Sequence, residues 1–260
     1  MYKLEIRLCP SLGLSVINQR NLSRIWDNRV ADPLAFIPHE FRDVLTPKEA
    51  MRENLALGDF GINYLRSELL SSKFSNEEKI VAVGYGKGYD SLWLKEATEA
   101  GLATWWIDVS ETAYKWATRD VQNQWRRIGM IGPSPTVKQG EIRSVLANPS
   151  SVDLDTDSIV IWYSCRTLGC LSRRSAKIVL QKMGESLGRE SDPLKNHKII
   201  TINALRDDNP SRVGKTCSLP SEREILSNIR RGSGRTVKIY NSSSHYYFDQ
   251  KYRAITIMAE

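Results

Sequence analysis

The sequence predicts an α/β fold with a seven-stranded, mostly parallel sheet, an antiparallel last strand, flanking helices and a helical N-terminal cap. From about residue 79, short apolar runs alternate with segments of helical periodicity. Strands that alternate with helices are joined by right-handed crossovers and form a parallel sheet. Near the end of the chain, two strand-like segments are separated by about nine residues, which favours a hairpin-like pair.

The predicted strands are short and rich in β-branched or aromatic residues, as buried strands are. In order they are Lys79–Gly84, Ala103–Val109, Thr136–Ile142, Ser158–Ser164, His197–Leu205, Thr236–Ser242 and Tyr252–Glu260. The first five alternate with helices, and the last two form the terminal pair.

The predicted helices carry start and stop signals. Asp90 and Gly101 bracket one helix, Ser110 caps a second, and Ser221 with Glu224 forms a capping box for the last. Their ranges are Tyr89–Ala100, Ser110–Gly129, Ser172–Gly188 and Ser221–Gly232.

Residues 1–75 do not share the strand–helix alternation, so they are predicted to be a helical, substrate-covering cap on a domain spanning residues 76–260. A helix is expected to begin near Thr46 and Pro47. The segment 204–220 contains two prolines and a glycine, and loops of this length are often functional.

Composition excludes several classes of protein. The 260 residues are 41% hydrophobic and 26% charged, and no apolar run is long enough to span a bilayer. The charged start does not resemble a signal peptide, and the four cysteines form no CxxC pair, so a cytoplasmic protein without a structural metal is expected. The net charge of +7 is compatible with an RNA partner, but the basic residues are scattered. The oligomeric state cannot be read from the sequence.

The segment "IVAVGYGKGYDSLWL" places three glycines, Gly84, Gly86 and Gly88, between the first strand and its helix. Such a turn lets a ligand approach the backbone in front of a helix N-terminus. The spacing is GxGxG, and Tyr89 stands where the dinucleotide fingerprint GxGxxG requires its last glycine. A dinucleotide, S-adenosylmethionine and a tight turn without a ligand all remain compatible with this segment alone.

Asp108 lies at the carboxyl end of the second strand, 24 residues after Gly84. A carboxylate at this position can accept hydrogen bonds from both ribose hydroxyls of an adenosine beside the first strand. Asp108 could instead simply begin the turn before Ser110.

Together, "VGYGKGYDSLWL" and "IDVSETAYKWA" resemble the glycine-rich and acidic motifs of class I S-adenosylmethionine-dependent methyltransferases. "QGEI" and "DSIVIWYSCRTL" resemble that family's later motifs, whereas Ala82 stands where the family usually has an acidic residue. The resemblance, over about residues 75–260, implies S-adenosyl-L-methionine as cofactor. The implied cofactor-binding residues are Gly84, Tyr85, Gly86, Gly88, Asp108, Val109, Glu141, Ile142, Tyr163 and Ser164.

The resemblance also implies in-line methyl transfer. A helical cap rich in aromatic residues is common in such enzymes that methylate N or O of small-molecule metabolites, so this substrate class is expected. The loops after strands four, five and six would then surround the substrate. In the loop predicted at Ser242–Asp249, His245 is a candidate catalytic base, with His39 of the cap as a second. The expected substrate contacts are Arg166, Tyr246, Tyr247 and Phe248.

Missing motifs argue against four other enzyme classes, and two alternative functions remain. "YSCRT" lacks the proline–aromatic segment typical of adenine or glutamine amino-methylating enzymes, and Cys217 lies too far beyond strand five for an RNA cytosine-5 enzyme. There is no Lys-Asp-Lys-Glu set for ribose methylation and no Tyr-x-x-x-Lys for a short-chain oxidoreductase. An RNA methyltransferase remains an alternative because of the basic charge, and a non-catalytic binding or scaffolding protein remains one because of Ala82.

Overall fold

The structure is a computed structural model of the chain. It describes residues 19–32, 34, 37, 39–70, 74, 78–84, 97, 101–121, 135–188, 197–209, 219–248 and 250–260. No helix within these ranges is both long enough and apolar enough to cross a membrane.

Seven strands form one sheet in the order β3-β2-β1-β4-β5-β7-β6. Strands β1 to β5 pair in parallel, and β7 lies antiparallel between β5 and β6. Their bounds are β1 Lys79–Val83, β2 Ala103–Asp108, β3 Thr136–Gln139, β4 Ile159–Cys165, β5 Lys198–Ala204, β6 Val237–Tyr247 and β7 Gln250–Ala259. The predicted sheet is therefore confirmed. Its strand order reverses between β1 and β4, the place where open α/β sheets bind ligands.

Helices cover both faces of the sheet. The described helices are α1 Gln19–Ala31, α2 His39–Arg42, α3 Pro47–Leu69, α4 Glu111–Trp116, α5 Ile142–Ala147, α6 Thr167–Cys170, α7 Arg173–Gly188 and α8 Glu222–Ser233. One core cluster joins α3 and α4 to the sheet, and the other joins α5, α7 and α8 to its opposite face.

Helix α3 begins where the sequence predicts. Thr46 is its N-cap, Pro47 is its first residue, and Glu49 completes a capping box. The helix does not stand apart from the sheet, because Leu65 and Leu69 are buried in the same core cluster as Ile80 of β1. The described part of residues 19–70 contains the helices α1, α2 and α3, as predicted, while the role of this part as a cover over a substrate stays a prediction.

The terminal strand pair is longer than predicted, and this corrects one expectation about the site. Segment Ser242–Tyr247 is part of β6 and not a loop, and β7 already begins at Gln250. Because β6 is an edge strand, its serines at 242, 243 and 244 can stay exposed and need no apolar alternation. Such polar positions look like a loop in sequence.

Helix α8 confirms its predicted capping box at Ser221 but extends past Gly232 to Ser233, and Gly234 caps it in a left-handed conformation. Gly232 serves a different purpose, since a Cβ there would lie 1.8 Å from the Gln181 carbonyl oxygen of α7. Gly184 of α7 approaches the backbone of Ile229 in a similar way. These glycines allow the two helices to pack in backbone contact.

Two other predicted helices are described only in part. Helix α4 starts after Ser110 as expected but is regular only to Trp116, and a π-helical turn follows over Ala117–Val121. Residues 122–129 of that prediction lie outside the described residues. So does the helix predicted at Tyr89–Ala100, apart from Ala97, which is helical and buried.

A buried ion pair joins α3 to the amino-terminal end of β5, on the side of the sheet away from the carboxyl ends of the parallel strands. The Lys198 ammonium lies 3.5 Å from a Glu68 carboxylate oxygen, with side-chain exposures of 3% and 4%. Lys198 also donates to the Glu68 carbonyl at 3.1 Å, and Asn241 of β6 donates to the carboxylate at 2.6 Å. The pair thus connects α3, β5 and β6.

We expect Lys198→Met to lower the free energy of unfolding by about 3 kcal/mol, because it leaves the Glu68 carboxylate buried without its cation. The double variant Glu68→Gln/Lys198→Met should recover part of that loss. Lys238→Met is the matched control, since it breaks the exposed Lys238–Glu260 pair and should cost about 0.5 kcal/mol or less. Urea denaturation measures all three, and equal losses for Lys198→Met and Lys238→Met would contradict the prediction.

Candidate functional site

The first part of the site is built from the adjoining ends of β1 and β2. Gly84 follows β1 directly, and its amide donates to the Ile107 carbonyl of β2 at 2.8 Å. Asp108 is the last residue of β2, so its backbone lies beside the start of the glycine turn. The two residues that sequence analysis singled out first are therefore neighbours in space.

Gly84 adopts a left-handed conformation with φ +66°, and the loop after β4 is packed against it. A Cβ at this position would lie 2.4 Å from the Thr167 hydroxyl oxygen. That hydroxyl donates to the Val83 carbonyl at 2.7 Å, so Thr167 connects the β4 loop to the end of β1. Both the conformation and the contact require glycine here.

Asp108 is 8% exposed, and the Ser110 amide donates to its Oδ1 at 2.8 Å. That bond orients the carboxylate at the tip of the strand. Ser110 is also the N-cap of α4, and its hydroxyl accepts from the Ala113 amide at 3.1 Å. Asp108 therefore begins the turn before the cap, and this local role does not conflict with holding a ligand.

The end of β3 lies next to the end of β2, because the Gly140 amide donates to the Asp108 carbonyl at 2.8 Å. Glu141 follows and caps α5, accepting from the Ser144 amide at 2.8 Å. Ile142 is buried in the core. The Val109 carbonyl accepts from the Gln139 side chain at 3.4 Å. The predicted cofactor residues Val109, Glu141 and Ile142 thus lie at the same edge of the sheet as Gly84.

The N-terminal helix α1 is attached to this region through Asp27. Its Oδ1 accepts from the Ser110 hydroxyl at 2.7 Å and from the Thr112 amide at 2.8 Å. Burial alone would raise the pKa of the Asp27 carboxyl, but hydrogen bonds from Thr112, Ser110 and Ser23 lower it below its ordinary value. An ionised carboxylate therefore satisfies a donor at the N-terminus of α4, where negative charge is favoured.

The second part of the site lies after β4 and contains a guanidinium. Arg166 donates from Nη1 to the Asn54 side-chain oxygen at 2.8 Å, and its Cζ lies 5.1 Å from the centre of the Tyr247 ring. The Tyr247 hydroxyl donates to the same Asn54 oxygen at 2.9 Å. Tyr252 of β7 packs edge-on against Tyr247 with ring centres 5.7 Å apart. These four residues are called the Arg166 cluster.

The tyrosines of the Arg166 cluster are neutral at physiological pH. Burial raises the pKa of Tyr247 to about 12, although the nearby Arg166 lowers it. Burial also raises the pKa of Tyr252, and Arg166 again opposes the shift. Both hydroxyls are therefore hydrogen-bond donors and do not act as bases near neutral pH.

The predicted substrate residues divide between two places. Phe248 belongs beside the Arg166 cluster, since its ring lies 4.9 Å from that of Tyr247 and stacks on Phe41 at 4.7 Å. Tyr246 is 68% exposed, in contrast to the buried Tyr247 that follows it. Of the predicted substrate contacts, the structure thus brings Arg166, Tyr247 and Phe248 together and leaves Tyr246 on the surface.

His245 is on edge strand β6, where it stacks on Phe60 of α3 with ring centres 5.2 Å apart. Three strand spacings, about 14 Å, separate β6 from β4. The expectation that His245 belongs to a loop is wrong, because β6 includes it. Its role as a base stays a prediction that this position does not favour. His39 begins α2, and its side chain lies outside what the structure describes.

Solved structures share this arrangement of strands and helices. One is a geranyl diphosphate C-methyltransferase from Streptomyces coelicolor A3(2), with a TM-score of 0.56, 12% identity, and coverage of 93% of this chain and 98% of that one. Another geranyl diphosphate methyltransferase, bound to its substrate and sinefungin, gives a TM-score of 0.53 at 12% identity over 92% and 98% of the two chains. The chain has the class I methyltransferase fold.

One of the solved structures that share this fold is described as an enzyme of another class. The [4+2]-cyclase SpnF matches with a TM-score of 0.55, 11% identity, and coverage of 92% of this chain and 95% of its own. No protein-family model and no curated protein matches the sequence. The comparisons therefore show the methyltransferase fold, and the chemistry must be argued from the site.

Other predicted cofactor residues occupy β4 or lie outside the described residues. Tyr163 is buried in the core, and its hydroxyl lies where a Cβ on Gly61 of α3 would approach to 2.8 Å. The Ser164 hydroxyl donates to Thr201 of β5 at 2.9 Å. Tyr85, Gly86 and Gly88 are outside the described residues.

Sequence analysis missed three residues of this methyltransferase-fold site, and two of them carried a signal. Asn54 is a polar residue on the apolar stripe that contains Ala50 and Leu57 of α3, and its side chain is 2% exposed. Thr167 is the last residue of the quoted "YSCRT" segment, to which no role is assigned from sequence. Asp27 gave no signal, because its partners Ser110 and Thr112 belong to another part of the sequence.

We expect Gly84→Ala to lower the free energy of unfolding by about 3 kcal/mol, through left-handed strain and the clash with Thr167. Gly234→Ala is the matched control, because Gly234 has the same φ of +66° with nothing within 4 Å of its Cβ position. The control should lose only about 1 kcal/mol. Denaturation curves compare the two, and equal losses would show that the Thr167 contact adds nothing.

We expect Asp27→Ala to lower the free energy of unfolding by about 1 kcal/mol at pH 7, since Asp27 is only partly buried. Because the folded-state pKa of Asp27 is lowered, its contribution is complete above the unfolded value of about 3.9 and disappears as the pH falls through the folded value. The difference from wild type should thus shrink below about pH 4. Denaturation series from pH 3 to 7, with exposed Asp59→Ala as control, measure this; a difference that grows in acid contradicts it.

Proposed function

We propose that this protein is an S-adenosyl-L-methionine-dependent methyltransferase that acts on a small molecule by in-line displacement. The observation that carries the proposal is the position of Gly84 and Asp108 at the adjoining ends of β1 and β2, next to the point where the strand order reverses. That crevice is where α/β sheets bind nucleoside ligands.

The residues present fit this cofactor. Gly84 turns the chain in a left-handed conformation at the carboxyl end of β1, where the glycine turn of the proposed cofactor site begins, and Thr167 fills the space of its missing side chain. The Asp108 carboxylate is oriented by the Ser110 amide and can accept from ribose hydroxyls. Known structures with this fold contain S-adenosylhomocysteine in one case and sinefungin in another, which supports the same ligand class for this chain.

The bound cofactor would supply a methyl group activated by its positive sulfur. The chain's own residues would hold the nucleoside and align the acceptor, since positioning provides most of the rate in such a displacement. Asp108 holds the ribose, and the Arg166 cluster presents hydrogen-bond donors beside β4. We predict N or O as the acceptor atom.

Two arginines, one after β5 and one in β7, are paired with carboxylates, which supports a small-molecule acceptor over RNA. Arg206 pairs with Glu224 at 3.2 Å, and Arg253 pairs with Glu222 at 2.6 Å. Both guanidinium groups are already engaged by carboxylates, so they are less available to a phosphate than free arginines would be. The two methyltransferases compared above are described with geranyl diphosphate, a small molecule, as substrate.

A second candidate is a protein that binds the cofactor without transferring its methyl group. Ala82 favours it, because this residue is 2% exposed in the core cluster shared with α3 and supplies no carboxylate. The cyclase with the same fold adds support, since its description names a reaction other than methyl transfer. The two candidate functions differ in whether a methyl group is transferred from the cofactor to an acceptor.

We expect S-adenosylhomocysteine to bind, and Asp108→Ala to weaken its affinity by about tenfold or more, because the ribose loses a charged acceptor. Asp157→Ala is the matched control, since Asp157 is exposed near the start of β4, at the opposite edge of the sheet. Calorimetric titration measures both. Unchanged affinity in Asp108→Ala would contradict the proposed site.

Methyl transfer is tested with labelled cofactor, a metabolite extract and total RNA in parallel. Label in small molecules supports the proposal, and label in RNA alone overturns the choice of acceptor. Cofactor binding without label in any fraction would favour the non-transferring candidate.

A further inference from the structure

Arg166 has an unusual backbone position for a long side chain. It follows β4 directly with φ +65°, in the left-handed region that non-glycine residues rarely occupy. Its amide donates to the Ile202 carbonyl of β5 at 2.7 Å, which fixes the turn at the carboxyl edge of the sheet. Strain of this kind costs about 1–3 kcal/mol and concentrates at functional sites.

The Arg166 side chain is held by uncharged groups that themselves are buried. Asn54 and Tyr247 are 2% and 1% exposed, whereas Arg166 remains partly accessible. The Asn54 oxygen accepts one guanidinium N–H, and the Tyr247 ring faces the guanidinium. Asn54 and Tyr247 thus orient a guanidinium whose plane carries five N–H donors.

The surroundings of this cation are aromatic. Phe248 stacks on Phe41, and Tyr247 packs edge-on against both Phe248 and Tyr252. Water is partly excluded, so an ionic contact with the guanidinium is stronger here than on an open surface. Carboxylate and phosphate groups match the guanidinium fork in geometry as well as in charge.

Charge also decides what can approach. The proposed cofactor would bring a second positive charge, its sulfonium, to the same edge of the sheet that holds Arg166. A cationic acceptor would face two positive charges, while an acceptor with an anionic group would be attracted by both. This step depends on the proposed function.

We propose that Arg166 binds an anionic group, a carboxylate or phosphate, of an acceptor whose apolar body contacts the stacked Phe41 and Phe248 rings. The substrate class is therefore a small amphipathic anion. Arg166 acts as a specificity-determining residue, and Asn54 with Tyr247 positions it.

The test uses octanoate, octyl phosphate and neutral octanamide as probes, titrated calorimetrically into the protein with and without S-adenosylhomocysteine. Both anions should bind about tenfold or more tightly than the amide. Arg166→Gln should remove that preference, and Arg166→Lys should keep part of it. The matched control Arg231→Gln, an exposed arginine of α8, should keep all of it.

Equal binding of octanoate and octanamide to the wild type, including no binding of either, overturns the proposal. So does a preference for the anions that survives in Arg166→Gln. If Arg166→Gln does not fold, the wild-type preference and its reduction in Arg166→Lys decide the matter. S-adenosylhomocysteine titrated alone tests the proposed function separately, so failure of one does not imply failure of the other. Carboxylate and phosphate are distinguished by which probe binds more tightly.

Discussion

The site depends on one hydrogen bond, from the Thr167 hydroxyl to the Val83 carbonyl at 2.7 Å. It fastens the segment after β4 to the end of β1, the two strands between which the strand order reverses. Because Thr167 lies against Gly84, no side chain fits at the start of the glycine turn. Because Arg166 directly precedes Thr167, the same hydrogen bond also restrains the backbone from which the Arg166 side chain extends. The same hydrogen bond therefore stabilises both the proposed cofactor region and the proposed acceptor region.

Most of the fold could be predicted because its signals are local. The capping boxes at Thr46 and Ser221 involve side chains three residues apart, and buried β4 is a continuous apolar run. The length of β6 could not be predicted, since an edge strand with exposed serines lacks the alternation that identifies strands. The end of α8 was misplaced because Gly232 is explained by contact with α7, which no local pattern reveals.

The site was predictable to the extent that it lies at strand ends. Gly84 and Asp108 were identified because the carboxyl ends of adjacent parallel strands meet at one edge of the sheet. Asn54 could not be identified from the sequence, because its role is a hydrogen bond with Arg166, which is 112 positions away in the chain. His245 was given weight as the titratable residue of an assumed loop, and in the structure it stacks on Phe60 along the edge strand.

Because Asp27 attaches α1 to the start of α4, a ligand at the end of β2 would also affect the docking of α1. The carboxylate bonds to Ser110 and Thr112, and Ser110 in turn orients Asp108. If Asp108 binds the ribose as proposed, docking of α1 and nucleoside binding are thermodynamically linked. Nucleoside binding would then stabilise the docked α1, and undocking of α1 would lower the nucleoside affinity by the same coupling free energy.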